Sequence, residues 1–215
     1  MKKQIKSIAI VAGGALDRSV LLRIRKADHI IGVDRGAYWL ITQGIVPDVA
    51  VGDFDSVTKK ELLVIKKKAH RVLSHPAHPK YATDLELAVE YAQTLKPKEV
   101  GIFGAIGTRF DHTWAGIQLL QKLSSHNIYG YIVDNFNEIY IVRRKVRLKP
   151  VKAFRYVSIF PIGEKATVTL TGFHYNISRR EFVRGSTLGV SNEIVASSAR
   201  VIVHDGTVLL IRSRD

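Results

Sequence analysis

Along the first 135 residues, apolar positions fall into short β-branched runs, each followed by a Gly-bearing loop and then an apolar stripe at helical spacing. The runs predict strands over 8–11, 30–33, 49–51, 100–103 and 129–133, with a weaker one over 71–73. The stripes predict helices near 18–25, 37–42, 59–68, 85–95 and 114–123. Strands alternating with helices imply a mostly parallel, Rossmann-like sheet with crossover helices on both faces. In such sheets ligands gather beyond the carboxyl ends of the strands. Gly13-Gly14, Asp34-Arg35-Gly36, the 52–56 block, the 104–111 block and Asp134 all fall there.

From about Asn137 the texture changes to short alternating runs without a helical stripe, which predicts a small β-sandwich or partial barrel. Asp205-Gly206, between the alternating runs 199–203 and 208–212, predicts a hairpin. The expected organisation is therefore an α/β domain over 1–136 and a β-sandwich over 137–215.

Composition narrows the class. With 215 residues and 46% apolar content the chain buries a real core. It has no cysteine, so disulfides, thiolate metal sites and cysteine nucleophiles are excluded, in keeping with a reducing, cytoplasmic setting. The start, Met1-Lys2-Lys3 before the run 8–12, reads as a first buried strand rather than a secretion signal, because Gly13-Gly14 and Asp17-Arg18 cut it short. No run approaches the roughly 20 apolar residues of a membrane span. The formal charge is +14, from 33 Lys/Arg against 19 Asp/Glu, and 14 of those cations but 6 of those acids follow Asn135. Seven basic residues and no acid occupy 143–155, alternating with apolar ones as the solvent face of strands does. Such a balance attracts anions.

The candidate chemistry begins at Gly52-Asp53-Phe54-Asp55-Ser56. Two carboxylates two residues apart at a strand's end lie on one side of an extended backbone and suit a hard cation such as Mg²⁺; a solvated turn is the simpler account. Thr83-Asp84-Leu85-Glu86 has capping-box spacing, and Asp84 at a helix N-terminus also lies where anions and their metal ions collect, making it a candidate third carboxylate. The loop Gly104 to Thr113 lets backbone N–H groups approach phosphate, and Arg109 offers a forked guanidinium to phosphate oxygens. Asp111 reads as a helix cap and His112 as a surface residue, unless both face a nucleotide. Neither a P-loop nor the Rossmann glycine fingerprint is present.

Five ordered blocks then converge: Val33-Asp34-Arg35-Gly36-Ala37, the 52–57 block, Thr83-Asp84-Leu85-Glu86-Leu87-Ala88, Arg109-Phe110-Asp111-His112-Thr113, and the 184–193 block ending Val190-Ser191-Asn192-Glu193. Together they resemble the thiamine pyrophosphokinase family over nearly the whole chain. The resemblance implies Mg²⁺-dependent transfer of pyrophosphate from ATP to the hydroxyl of thiamine, giving thiamine diphosphate and AMP. It implies that the 1–136 domain is the nucleotide-binding catalytic one and the 137–215 domain the thiamine-binding one, in a homodimer with sites at the subunit interface. It further implies Asp53, Asp55 and Asp84 as Mg²⁺ ligands, with Asp55, Asp84 and Arg109 catalytic. Thr83, Arg109, Asp111 and His112, with Asp34 and Arg35 behind them, fall on the ATP side, and Ser191 and Asn192 meet thiamine. The family's usual acid two positions before Thr83-Asp84 is replaced by Tyr81. No aromatic group emerges to stack on the thiamine pyrimidine, since Trp39 and Trp114 both lie in the first domain.

Two rival readings are an ATP-dependent kinase of another small alcohol and a basic nucleotide- or RNA-binding protein without turnover. The acidic blocks argue against nucleic acid at this site, because carboxylates repel a phosphate backbone unless a metal intervenes.

Overall fold

Strands that are apolar along their whole length pair in parallel and hide under helices, because such strands have no wet face to spare. The computed structural model describes residues 4–74 and 82–215, so Tyr81 lies outside the described residues. The chain divides after Asp134 into two units. In the first, β1 (Ser7–Val11), β2 (His29–Val33), β3 (Val49–Gly52), β4 (Arg71–Ser74), β5 (Glu99–Phe103) and β6 (Tyr129–Val133) form an all-parallel sheet in the order β6-β5-β1-β2-β3-β4. β3 is buried at every position, and β1 and β5 at all but their first.

The helices are α1 (Leu21–Arg25), α2 (Arg35–Thr42), α3 (Lys59–Lys68), α4 (Asp84–Thr94) and α5 (Phe110–Ser125). From β1 to β4 the chain advances across the sheet in one direction. From β4 it returns to β5 and β6 in the other. Right-handed crossovers therefore put α1, α2 and α3 on one face and α4 and α5 on the opposite one, in line with α2 packing on α3 and α4 on α5. The direction reverses between β1 and β5, which is where open α/β sheets open a crevice. There the loops are joined: Ala12 N–H donates to Phe103 O and Gly14 N–H to Gly104 O, both at 2.8 Å. α5 begins four residues before the apolar stripe, since its first turn is exposed and carries no periodic signal.

A full capping box, which the pattern reading passes over, starts α3: Thr58 Oγ accepts from Glu61 N–H, and the Glu61 carboxylate accepts from Thr58 N–H. At α4 the expected box is half made. Thr83 Oγ accepts from Glu86 N–H at 3.2 Å, but the Glu86 carboxylate instead meets Lys122 Nζ of α5 at 2.9 Å. The stronger partner wins, because an ion pair holding two helices together outweighs a second bond to an exposed amide.

The second unit has two antiparallel sheets and, among the described residues, no helix. β7 (Asn137–Val142), β9 (Tyr156–Pro161), β12 (Asn192–Glu193) and β14 (Val208–Ser213) pair in the order β12-β9-β14-β7. β8 (Lys145–Leu148), β10 (Lys165–Thr171), β11 (Ile177–Val183) and β13 (Ala199–Asp205) pair in the order β11-β10-β13-β8. Alternation in β10, where Ala166, Val168 and Leu170 are buried, turns one face of its sheet inward. The expected hairpin at Asp205-Gly206 is not formed. β13 lies between β10 and β8, and β14 between β7 and β9, so the two runs belong to different sheets. Each is a central strand with both edges already paired, and the turn carries the chain from one sheet to the other.

Removing the α3 cap by Thr58→Ala is expected to cost about 0.5–2 kcal/mol. Thermal unfolding should show a fall of roughly 2–4 °C per kcal/mol, with secondary structure by circular dichroism unchanged.

Candidate active site

β2 ends at Val33, and the next residue, Asp34, takes φ 46°, a conformation in which Asp is among the few side chains tolerated. That turn sends its carboxylate toward β3, where Oδ1 accepts the Phe54 N–H at 3.1 Å. Gly52 makes the approach possible: a Cβ there would sit 1.9 Å from Asp34 Oδ1. Phe54, with φ 61°, buries its ring among Ala37, Ala50 and Ile65, which anchors the loop in the core.

The same positive φ corrects the picture of two acids on one side of an extended strand. The chain turns at Phe54, Asp53 points in, and Asp55 is exposed with its N–H donating to Asp53 Oδ1 at 3.0 Å. Asp34, Asp53 and Asp84 are the carboxylates that converge, offering oxygens all within 4.8 Å of one another. Asp55 stands outside that trio. β2, β3 and the N-terminus of α4 supply one acid each.

Crowding like charges away from water favours their protonated forms. Burial, then Asp84, pushes Asp34 from 3.8 up to about 7, against the opposing hydrogen bond from Phe54. Burial, then Asp53, raises Asp84, while backbone N–H groups partly hold it down. Three hard oxygen donors with no cation among them fit a divalent ion of the Mg²⁺ type, for which carboxylate oxygens are the ordinary ligands.

The other site residues of this unit are dispersed around its loops. Thr83 caps α4, Arg35 opens α2 and is exposed, and His112 is exposed in the first turn of α5. Arg109 is the N-cap residue of α5 without a side-chain cap bond. Asp111 does not cap the helix as expected: it takes the Arg109 fork, with Nη2 to Oδ2 at 2.6 Å and Nε to Oδ1 at 3.2 Å. Both side chains are exposed, and the Arg109 hydrogen bonds hold Asp111 below the usual carboxylate range. An anion arriving at Arg109 competes with a pair already made. Next to it Phe110 and Trp114 stack on each other, exposed at 74% and 51%.

In the second unit, Ser191 has φ 58° and donates its N–H to Ser158 Oγ. Asn192 is buried, and its amide is committed to the backbone: Oδ1 accepts from Tyr175 N–H and from Glu193 N–H, both at 3.0 Å, and Nδ2 donates to Tyr175 O at 2.9 Å. Tyr175 is thereby held by its main chain, and the residue is 65% exposed. It lines a cavity of about 570 Å³ whose walls include Ile159, Leu170, Phe173, Arg180 and Phe182. Tyr175 is an exposed aromatic residue that sequence reasoning passed over; the signal available was its place in Gly172-Phe173-His174-Tyr175-Asn176, a turn between two strands.

Two family models match in order: the catalytic domain of thiamin pyrophosphokinase over residues 21–132 and its vitamin B1 binding domain over 141–208. The chain belongs to the thiamine pyrophosphokinase family. It is 37% identical to the thiamine pyrophosphokinase of Bacillus subtilis over 215 residues, covering 98% of this chain and 100% of the relative. The crystal structure of the Bacillus subtilis protein superposes with a TM-score of 0.90 over 98% of this chain and 100% of that one, at 36% identity. That of the Geobacillus thermodenitrificans thiamin pyrophosphokinase gives a TM-score of 0.86 over 97% and 98%, at 31% identity. The fold class, an α/β unit followed by a β-sandwich, is that of these family structures.

Asp34→Asn keeps an acceptor for Phe54 N–H and suits the positive φ while removing one crowded charge. Between 3.8 and about 7 the folded protein holds a proton on Asp34 that the unfolded chain has lost, so this carboxylate lowers stability as pH rises through that window. Calorimetry in EDTA should find the variant more stable than the parent by a margin that grows from acid to pH 8. Allowing for partial exposure, the margin is on the order of 1–2 kcal/mol, or roughly 2–8 °C. A variant no more stable at pH 8 would mean that the acids do not repel one another as described.

Proposed function

We infer that this chain is an ATP-dependent thiamine pyrophosphokinase, moving a pyrophosphoryl group from ATP to the hydroxyl of thiamine to give thiamine diphosphate and AMP. The observation that carries the reading is the Asp34, Asp53 and Asp84 trio in a chain matched end to end by the family. Of the rivals, a kinase of another small alcohol and a nucleotide binder without turnover, neither accounts for the vitamin B1 binding model matched by the second unit.

Chemically, attack falls on the β-phosphorus and AMP departs, so positioning and charge neutralisation do most of the work. A Mg²⁺ ion held by Asp53 and Asp84, with Asp34 beside them, would supply charge neutralisation to the phosphate oxygens. Arg109 leaves Asp111 to bind a phosphate oxygen of ATP, and Thr83, Asp111, His112 and Arg35 complete the nucleotide side. Asp55, exposed and outside the trio, is the carboxylate free to take the hydroxyl proton of thiamine, whereas Asp84 would hold the ion. On the thiamine side Tyr175 offers its ring to the pyrimidine, and Ser191 borders the same turn. Asn192 acts through Tyr175, since its amide is already bonded to that residue's backbone.

The same reading makes the protein a homodimer with its sites at the subunit interface. Its support is the exposed Phe110–Trp114 pair, apolar surface for a partner to cover. A cytoplasmic setting goes with it, since ATP is an intracellular substrate and the chain has no cysteine. No helix among the described residues is long and apolar enough to cross a membrane.

Incubated with ATP, Mg²⁺ and thiamine, the protein should form AMP and thiamine diphosphate in equal amounts, read by chromatography. ADP would identify an ordinary kinase. Asp84→Asn should lower turnover by at least about 10²-fold with the fold intact. Mixing Asp84→Asn with Tyr175→Ala tests the shared site: random subunit exchange between two inactive dimers should restore about a quarter of parental activity if each site draws on both subunits, and none if each subunit is self-sufficient.

A further inference from the structure

The outward face of the β11-β10-β13-β8 sheet is built from cations and hydroxyls. Its register sets them in two rows across the strands. One row runs Arg179, Thr169, Ile202, Lys145, since Thr169 pairs with Ile202, Ile202 with Lys145, and Thr169 Oγ accepts the Arg179 N–H at 3.0 Å. The next runs Thr171, Arg200, Arg147. Lys145, Arg147, Arg179 and Arg200 are exposed, and among the described residues none has a carboxylate partner. The acids of these strands sit at the far end, where Glu181 pairs with Lys165 at 2.9 Å and Asp205 closes β13.

Two details set this apart from a merely solvated face. Arg147 lies directly opposite Arg200, a cross-strand like-charge pair that weakens the sheet and that one acid would relieve. Arg147 is held there by a fork onto Ser198 Oγ, at 3.1 and 3.0 Å. Arg179 is held as well. It occupies φ 44° at a bulge, and its guanidinium donates to His204 Nδ1 at 3.2 Å, which leaves the proton on Nε2 to donate to Thr169 Oγ at 2.8 Å. The cations span three strand spacings, about 14 Å, in rows roughly 7 Å apart.

We propose that this face docks the phosphate backbone of a nucleic-acid duplex. Cations in ordered rows match a repeating polyanion, and the carboxylate trio that argues against such a partner belongs to the other unit. The outward side chains of these strands include no Phe, Tyr or Trp, and the one imidazole, His204, is held by Thr169 and Arg179, so the bases of a single strand find no stacking platform. Their apolar members are Ile202 and Val183, too few to anchor the face in a bilayer. The partner is therefore read by charge and shape, without sequence preference.

The full-length protein is titrated into a fluorescein-labelled DNA duplex of about 20 base pairs, followed by anisotropy over a KCl series. Four phosphate contacts predict a log–log salt slope of about −3.6, which is roughly a 10²-fold loss of affinity between about 50 and 200 mM. Arg147→Gln with Arg200→Gln should bring the slope to about −1.8 and weaken binding at least about 10-fold at the lowest salt, with thiamine-dependent AMP formation unchanged. An unaltered slope in that variant would place the binding elsewhere and overturn the proposal. So would absence of duplex binding at the lowest salt, or binding to phosphatidylserine vesicles in its place.

Discussion

Like charges forced together out of water repel strongly, and any structure that holds three carboxylates in one small volume must supply the constraint from its backbone. Here the constraint is the parallel sheet. Strands buried on both faces cannot shift register without exposing apolar surface, so the loops at their carboxyl ends are fixed relative to one another. Asp34 and Asp53 follow neighbouring strands, and Asp84 arrives at the head of a helix that the chain's reversal of direction lays on the opposite face. The absent Cβ of Gly52 and the anchored ring of Phe54 close the last gap. The stored repulsion makes this cluster receptive to a cation, because neutralisation releases what folding stored.

The β-sandwich solves a different problem, presenting an aromatic ring to solvent without letting it collapse inward. Tyr175 stays out because its main chain, not its side chain, is tied down, and Asn192 is suited to that because its amide carries both a donor and an acceptor, matching one residue's C=O and N–H. Asn192 can spend that amide only because it is buried on a short strand paired with β9, where competing water is excluded. The same sandwich carries most of the chain's excess of positive charge. Its inward faces are largely apolar, so the two-residue period puts Lys145, Arg147, Arg179 and Arg200 on the outward side, while Arg180, opposite buried Val168, lines the cavity.

By itself the sequence determined the class of each unit and the order of the chemistry-bearing blocks, because burial demands a periodicity and periodicity is a one-dimensional signal. The strands of the parallel sheet were legible in that way, the Thr83 cap from local spacing, and the family from the ordered blocks that resemble it. What depends on which elements become neighbours was not. Asp34 rather than Asp55 joins Asp53 and Asp84, since membership is decided by a left-handed turn at Phe54 and by strand adjacency. Glu86 abandons its cap for Lys122, thirty-six residues away, and Asp111 turns back to Arg109. Asp205-Gly206 links two sheets because both flanking strands already have partners on each side. Such outcomes are contests between partners distant in the chain, and only the tertiary structure brings the contestants together.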